Sequence, residues 1–160
     1  SEYKISYEIG FNHPLIGDQS YEMIFSDENY EKEICAARTF GFLRDVEYLQ
    51  AKGLALGGSL KNAIVLDDNR ILNKEGLRCP LEFVKHKILD AIGDLSLLGM
   101  PIIGHFSAYK SGHKLNNMLL QELMAHQENW IIVSQAGDEL IDCALPLKLP
   151  SFSILDAVNA

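Results

Sequence analysis

The sequence has few cysteines and a shortage of basic residues, and each shortage excludes a class of protein. Its three cysteines, Cys35, Cys79 and Cys143, are odd in number and widely spaced. That pattern fits neither a disulfide framework nor a zinc knuckle, so we expect buried free thiols in a reducing compartment. Lysine and arginine number 14 against 22 acidic residues, a net charge of −8. This balance argues against a general nucleic-acid binder.

Long apolar runs, internal repeats and low-complexity tracts are absent too. No run approaches the roughly 18–20 residues of a membrane span, and no basic-then-apolar leader opens the chain. These absences predict a cytoplasmic protein without a transmembrane segment. Hydrophobic residues form 48% of the chain and charged residues 22%, as in ordinary globular domains. We expect one domain at residues 1–145 and an extended tail at 146–160. The start at Ser1, without methionine, suits a processed protein or a piece of a longer one.

The mixed order of strand and helix patterns predicts an α+β fold, a two-layer sandwich in which a mixed sheet packs on helices. Strands are predicted at residues 3–11, 21–25, 63–66, 70–72, 102–109 and 130–134, and helices at 26–37, 45–52, 80–99 and 114–127. Residues 38–42 are expected to break the first helix as a loop. Residues 43–72 are predicted to be a small inserted strand–helix–strand unit. The last helix is expected to bury Leu115, Met118, Leu119 and Leu123.

The helix at residues 80–99 carries the clearest chemical signal. Its apolar face is opposed by His86, Asp90 and Asp94, each four residues from the next, so the three side chains form one stripe. Histidine and carboxylate at i and i+4 can hold one divalent ion, although such a stripe is more often a solvated face. Phe83 and Leu97 are expected to be exposed beside the stripe, which suggests that something covers it.

Two further places are candidates for chemistry, each with a plainer interpretation beside it. His113 follows a Ser-Gly turn at the start of a helix, and a loop histidine with a carboxylate partner makes a general acid. Thr39 fits a surface loop equally well. Phe40 and Phe42 flank a glycine and are either core residues or a platform beside a ligand.

Four segments together resemble the UDP-3-O-acyl-N-acetylglucosamine deacetylases, zinc enzymes of lipid A synthesis in Gram-negative bacteria. The segments are ARTFGFLRDVEYL at 37–49, GLALGGSLKNAIVLDD at 53–68, VKHKILDAIGDL at 84–95 and IIGHFSAYKSGHKLNN at 102–117. The resemblance covers residues 3–130 and only the second half of the family's chain. It implies that an N-terminal half supplies a third zinc ligand, a histidine, and the glutamate that acts as general base.

The resemblance also implies a role for individual residues. His86 and Asp90 correspond to zinc ligands, Asp94 to the carboxylate that orients His113, and His113 to the group that protonates the leaving amine. Thr39 corresponds to a hydroxyl that steadies the tetrahedral intermediate of a metal-assisted hydrolysis releasing acetate. The implied substrate contacts are Phe11, Phe40, Phe42, Lys87 and Lys110, and the implied acyl-chain passage includes Leu43, Val46, Ala55, Ser59 and Ala63.

Two functions remain open from the sequence. In the first, the chain is the C-terminal catalytic domain of a zinc deacetylase, inactive without its N-terminal half because two protein ligands hold zinc weakly. In the second, it is a non-catalytic α+β module that binds a partner domain or an acyl ligand. In both cases we expect an exposed patch around Phe83, Leu97 and Phe40.

Overall fold

A computed structural model of the chain describes residues 2–133. The chain divides into two compact units, residues 1–122 and 123–160. The predicted tail and Cys143 lie outside the described residues. The described strands and helices follow in the order β1 (Tyr3–Phe11), β2 (Gly17–Ile24), α1 (Asp27–Asn29), β3 (Thr39–Phe42), α2 (Leu43–Ala51), β4 (Ala63–Leu66), α3 (Glu82–Leu95), β5 (Gly104–Tyr109) and α4 (His113–Ala125).

The main sheet has three strands in the order β2–β1–β5, with β1 antiparallel to β2 and parallel to β5. Because side chains alternate along a strand, β1 turns Ile5, Tyr7 and Ile9 to one face, and all three are buried. Helix α3 covers that face with Val84, Ile88 and other apolar residues of the same core. The mixed sheet under helices confirms the predicted α+β class.

A second, two-stranded sheet changes the prediction for residues 38–42. Strands β3 and β4 pair in parallel, from Thr39 opposite Ala63 to Phe42 opposite Leu66, and α2 is the crossover between them. Residues 39–42 are therefore a strand and not a loop, so the strand–helix–strand unit begins four residues before the predicted insert. The predicted return strand at 70–72 is wrong, since only a single bridge joins Leu66 to Ile71.

Several element boundaries also differ from those predicted. Strand β2 begins at Gly17 instead of residue 21. Ser26 caps α1 as expected, since its hydroxyl accepts from the Asn29 amide, but the α-helix gives way after one turn to a π-helical turn, Tyr30–Ile34. Helix α3 begins at Glu82, two residues after Pro80. Residues 130–133 form no strand.

The end of α3 follows the sequence closely. A 3₁₀ turn, Ser96–Leu98, extends the helix, and Gly99 then adopts φ +73°, the left-handed conformation that glycine accepts without a Cβ clash. The amide of Gly99 bonds the carbonyl of Ser96 at 3.0 Å. Glycine therefore ends the helix where the sequence predicts.

Two predictions of which side chains face solvent are wrong. Phe83 is fully buried, because its ring meets that of Phe40 edge-on at 5.0 Å inside the core, so the exposed patch predicted around it does not form. Leu97 is 65% exposed, as predicted.

On α4 the predicted inward residues Leu115, Met118 and Leu119 are exposed, and the side chains buried there belong to Asn116 and Leu120.

The two described cysteines are less buried than the sequence predicts. Cys35 is exposed, against the prediction of a buried thiol, and Cys79 is half-buried; both are free. Burial raises the pKa of the Cys79 thiol.

Across residues 2–133, every helix is too short or too polar to cross a membrane.

Candidate active and metal site

Helix α3 brings His86 and Asp90 together on one side of the helix. One helical turn separates them, and His86 Nε2 lies 3.2 Å from Asp90 Oδ1. Both side chains are mostly covered, at 13% and 15% exposure. The spacing predicted that these two groups share one side of the helix, and this proximity is confirmed.

The other ring nitrogen of His86 fixes which atom faces Asp90. His86 Nδ1 lies 3.1 Å from the carbonyl oxygen of Ala37, and since a carbonyl only accepts, Nδ1 carries the proton. In the neutral ring, Nε2 is then a lone-pair atom facing a carboxylate oxygen. Two acceptors at that distance need a cation between them, either a proton on Nε2 or a metal ion. This donor pair, one imidazole nitrogen and one carboxylate, fits zinc.

Asp90 is ionised across the physiological pH range. Burial by itself raises the pKa of a carboxyl group, but hydrogen bonds from His86, with a proton on Nε2, and from Lys87 outweigh it and lower the pKa of Asp90 to about 2. Lys87 Nζ donates to Asp90 Oδ2 at 2.8 Å. The carboxylate is therefore a charged ligand at neutral pH. Among residues 2–133, no group of three or more histidine, cysteine or acidic side chains is placed to hold a metal ion.

His113, the first residue of α4, completes the cluster. Its Nδ1 lies 2.9 Å from both oxygens of Asp94, and because a carboxylate only accepts, Nδ1 donates. The opposite nitrogen, Nε2, is 3.9 Å from Asp90 Oδ2. The His113 side chain is 69% exposed, so its Nε2 edge is open to a bound molecule. The stripe on α3 and the turn before α4 thus meet, as the resemblance implied.

Asn116 is a member of this cluster that sequence reasoning missed. It is buried on α4, donates from Nδ2 to Asp94 Oδ2 at 2.8 Å, and accepts from the Ser111 hydroxyl at 2.8 Å. Asp94 is therefore held from two sides, by Asn116 and by His113. The signal for it was weak, since an asparagine three residues after His113 is unremarkable without the fold.

A buried ion pair behind His86 was also missed. Arg38, at 3% exposure, bonds the carboxylate of the fully buried Glu82 through Nε at 2.9 Å and Nη2 at 3.2 Å. Its Nη1 also reaches Glu75 at 2.9 Å. A signal existed for Glu82, because it lies four residues before His86 and so extends the polar stripe by one turn.

Thr39 and the predicted aromatic contacts lie on strands β1 and β3. Thr39 is exposed at the start of β3, two residues beyond the carbonyl that binds His86. Phe11, Phe40 and Phe42 are half-buried; Phe11 meets the other two rings at centroid distances of 5.5 and 6.5 Å. Each ring packs on the core and keeps some surface, which agrees with the core interpretation, and the platform beside a ligand stays a prediction.

The two predicted lysines differ in their surroundings. Lys87 is committed to Asp90, whereas Lys110 is exposed, with Nζ 5.1 Å from the centre of the Tyr109 ring. Lys110 also lies directly over Gly10, where an added Cβ would come within 2.4 Å of its Cε. A side chain at position 10 would therefore displace the end of the Lys110 side chain from its place over β1.

The residues predicted for an acyl passage lie on the strand–helix–strand unit. Val46 and Ala63 are half-buried, and Leu43, Ala55 and Ser59 are exposed. The unit also exposes large apolar side chains that it does not cover itself, namely Tyr48, Leu54, Leu56 and Leu60. Such an apolar surface is consistent with a lipid-like ligand.

The remaining described histidines of the first unit have structural partners. His13 is buried, with Nε2 2.8 Å from the Asp67 carbonyl, and His105 Nε2 lies 2.7 Å from the Ser6 hydroxyl on the exposed sheet face. Neither joins the cluster around Asp90 and His113.

Residues 1–125 match the family of UDP-3-O-acyl N-acetylglycosamine deacetylases. The chain belongs to this family. A UDP-3-O-acyl-N-acetylglucosamine deacetylase of Syntrophus aciditrophicus is 72% identical over 84% of this chain and 42% of its own length. Deacetylases of the same name from Wolinella succinogenes and Vibrio parahaemolyticus are 59% and 58% identical over 80% of this chain and 43% of theirs. The chain thus spans less than half the length of these relatives.

Proposed function

We propose that this chain is the C-terminal part of a zinc-dependent deacetylase that removes the N-acetyl group of UDP-3-O-acyl-N-acetylglucosamine in lipid A biosynthesis. The observation that carries the proposal is the cluster in which His86 and Asp90 form a donor pair next to the His113–Asp94 pair. Because the chain belongs to the deacetylase family, we assign amide hydrolysis to this cluster. A cytoplasmic enzyme of a Gram-negative bacterium is part of this proposal.

In this proposal, His86 Nε2 and Asp90 would hold the zinc ion, and a histidine of the N-terminal half of the enzyme would be the third protein ligand. When bound, zinc supplies Lewis-acid chemistry for the hydrolysis of an amide. The Ala37 carbonyl binds His86 Nδ1 and so leaves Nε2 toward Asp90, which is already ionised. A glutamate of the N-terminal half of the same enzyme is the proposed general base.

His113 is the proposed general acid. Asp94 holds the ring by its Nδ1–H, so that Nε2 faces away from Asp94, and Asn116 in turn holds Asp94. The exposed Nε2–H of the imidazolium then donates to the leaving amine of a substrate bound over Asp90. The Thr39 hydroxyl is the proposed additional donor to the developing oxyanion.

The substrate contacts follow from the surroundings of the cluster. Lys110 and Lys87 carry positive charge suited to the diphosphate, although Lys87 already neutralises Asp90. Phe11, Phe40 and Phe42 offer apolar rings to the substrate. The exposed apolar side of the strand–helix–strand unit takes the acyl chain, along the passage from Leu43, Val46, Ala55, Ser59 and Ala63.

A chimera tests the proposal directly. The matched segment of the Syntrophus aciditrophicus deacetylase is replaced by this chain, and acetate release and bound zinc are measured with UDP-3-O-acyl-N-acetylglucosamine. We expect activity, a loss of zinc in Asp90→Ala, and a fall of about 10²–10³ in kcat for His113→Ala with zinc retained. Glu33→Gln, which breaks the ion pair with Lys85 and touches no member of the cluster, is the control and should change neither. A folded, zinc-loaded chimera without activity contradicts the proposal.

A non-catalytic module is the second candidate, and the exposed apolar face of α4 favours it. Leu115, Met118 and Leu119 lie together on that helix with 39–52% of their surface exposed. In the first proposal the N-terminal half of the enzyme covers them; in the second, another protein does. Wild-type activity of the chimera decides for the enzyme.

A further inference from the structure

We infer that Ser111 is a positioning residue for His113, and that it acts through the Asn116 amide and the Asp94 carboxylate. This inference rests on the proposed function for its consequence, the rate at which His113 donates a proton. It rests on the described contacts alone for the positioning of the ring.

The Asn116 amide lies between two partners, and only one of its two orientations suits both. A carboxylate only accepts hydrogen bonds, so the amide nitrogen faces Asp94, and Nδ2 donates to Asp94 Oδ2 at 2.8 Å. The amide oxygen then faces Ser111, whose hydroxyl donates to it at 2.8 Å. Because Asn116 is only 1% exposed, bulk water does not reach this oxygen. The Ser111 hydroxyl therefore stabilises the orientation that presents Nδ2 to Asp94.

The Asp94 carboxylate depends on Asn116 because its contact with His113 is symmetric. His113 Nδ1 lies 2.9 Å from both Asp94 oxygens, so this contact favours neither oxygen and leaves the carboxylate free to rock about it. The bond from Asn116 reaches Oδ2 alone and fixes the tilt. The His113 side chain is 69% exposed, so the carboxylate, and not packing, sets the direction of its Nε2.

The turn between β5 and α4 places Ser111 within reach of Asn116. Lys110 has φ +49°, a left-handed conformation that a residue with a Cβ seldom adopts, and its amide donates to the Glu8 carbonyl at 2.8 Å. The Asn116 amide N–H donates to the Gly112 carbonyl at 3.0 Å at the start of α4. Backbone hydrogen bonds thus anchor the chain on both sides of the Ser111–Asn116 contact.

Removing the Ser111 hydroxyl leaves a buried acceptor without its donor. An unpaired buried oxygen is costly, so the Asn116 amide turns away from its present orientation. Asp94 then loses its fixed tilt, and the His113 ring populates several rotamers. Proton donation slows, because a misaligned group is less often in line with the reacting atom.

The first test measures the χ1 rotamer of His113 from three-bond NMR couplings in the 160-residue chain, at pH 7 with a chelator present. The variants are Ser111→Ala, which removes the hydroxyl, and Ser111→Thr, which keeps one. Ser96→Ala is the matched control, because it removes a hydroxyl that bonds the Gly93 carbonyl and does not contact Asn116. We expect one rotamer in wild type, Ser111→Thr and Ser96→Ala, and an average over rotamers in Ser111→Ala. A folded Ser111→Ala chain that keeps the single wild-type rotamer overturns the inference, as does averaging in wild type.

The second test measures kcat, KM and bound zinc in the chimera described above. We expect Ser111→Ala to lower kcat about tenfold, with zinc retained and KM within about twofold of wild type. In a His113→Ala background the same substitution should change kcat by less than about twofold, because its effect passes through the missing ring. A tenfold loss that persists without His113 shows a merely structural role and overturns the inference.

The two tests separate this inference from the proposed function. If the His113 rotamer responds as expected but the folded, zinc-loaded chimera is inactive, the positioning stands and the proposed function fails. If the chimera is active and the rotamer is the same in Ser111→Ala and wild type, the proposed function stands and the inference fails.

Discussion

Replacing Asp90 by asparagine in the metal-free chain is expected to lower the free energy of unfolding by about 2 kcal/mol at pH 7. The folded protein lowers the pKa of Asp90 from 3.8 to about 2, which corresponds to that free energy. The Asp90 side chain is only 15% exposed, so solvent screens its bonds to His86 and Lys87 little. Asparagine keeps the size of the side chain and removes its charge.

The stability difference between wild type and Asp90→Asn should depend on pH in a definite direction. Because the pKa is lower in the folded state, ionised Asp90 stabilises the fold above about pH 4, and the contribution is lost as pH falls toward 2. The difference between wild type and Asp90→Asn should therefore shrink from about 2 kcal/mol at pH 7 to about 1 kcal/mol at pH 3. Urea unfolding in the presence of a chelator measures it, as a shift of about 1 M in midpoint at pH 7.

Asp45→Asn is the control for this measurement. Asp45 is exposed on α2, and its nearest cationic partner, Arg44, is 3.9 Å away, so we expect its substitution to change stability by less than about 0.5 kcal/mol. If wild type and Asp90→Asn differ by the same amount at pH 7 and pH 3, the charge of Asp90 does not act as described. If Asp90→Asn is the more stable protein at pH 7, the reasoning is refuted.

Three further predictions cover the core, the inserted unit and the activity. Phe83→Ala should destabilise the fold by about 3–5 kcal/mol in urea, whereas Leu97→Ala should cost less than about 0.5, contrary to a model in which both are exposed. Asn73→Asp should cost about 2 kcal/mol or more at pH 7, because Asn73 Nδ2 donates to two carbonyls that a carboxylate would oppose; thermal unfolding that matches wild type would contradict this. The 160-residue chain alone, supplied with zinc, should release no acetate from UDP-3-O-acyl-N-acetylglucosamine; measurable turnover would show that the remaining half is dispensable.

The cluster illustrates what local spacing can predict. His86, Asp90 and Asp94 share one side of α3 because a helix repeats every 3.6 residues, whatever surrounds it. The alternation of Ile5, Tyr7 and Ile9 likewise predicts β1 correctly, since strand geometry alone sets its period. These features depend on residues close in the chain.

The predictions that were wrong depend on contacts between elements distant in the chain. Periodicity shows which residues lie on one face, but not whether another element covers that face. Phe83 was expected in solvent and is buried because Phe40, 43 positions earlier, packs on its ring. Residues 38–42 are predicted as a break, and residues 39–42 form a strand because β4 supplies the hydrogen-bonding edge.

The sequence by itself determined the two-layer fold class, the strand β1, the end of α3 at Gly99 and the side-by-side placement of His86 and Asp90, because each follows from chain geometry within one element. Only the tertiary structure decided which nitrogen of His86 faces Asp90. That choice depends on the carbonyl of Ala37, 49 residues away along the chain. Contacts at such separation arise from how the elements pack, which no local pattern encodes.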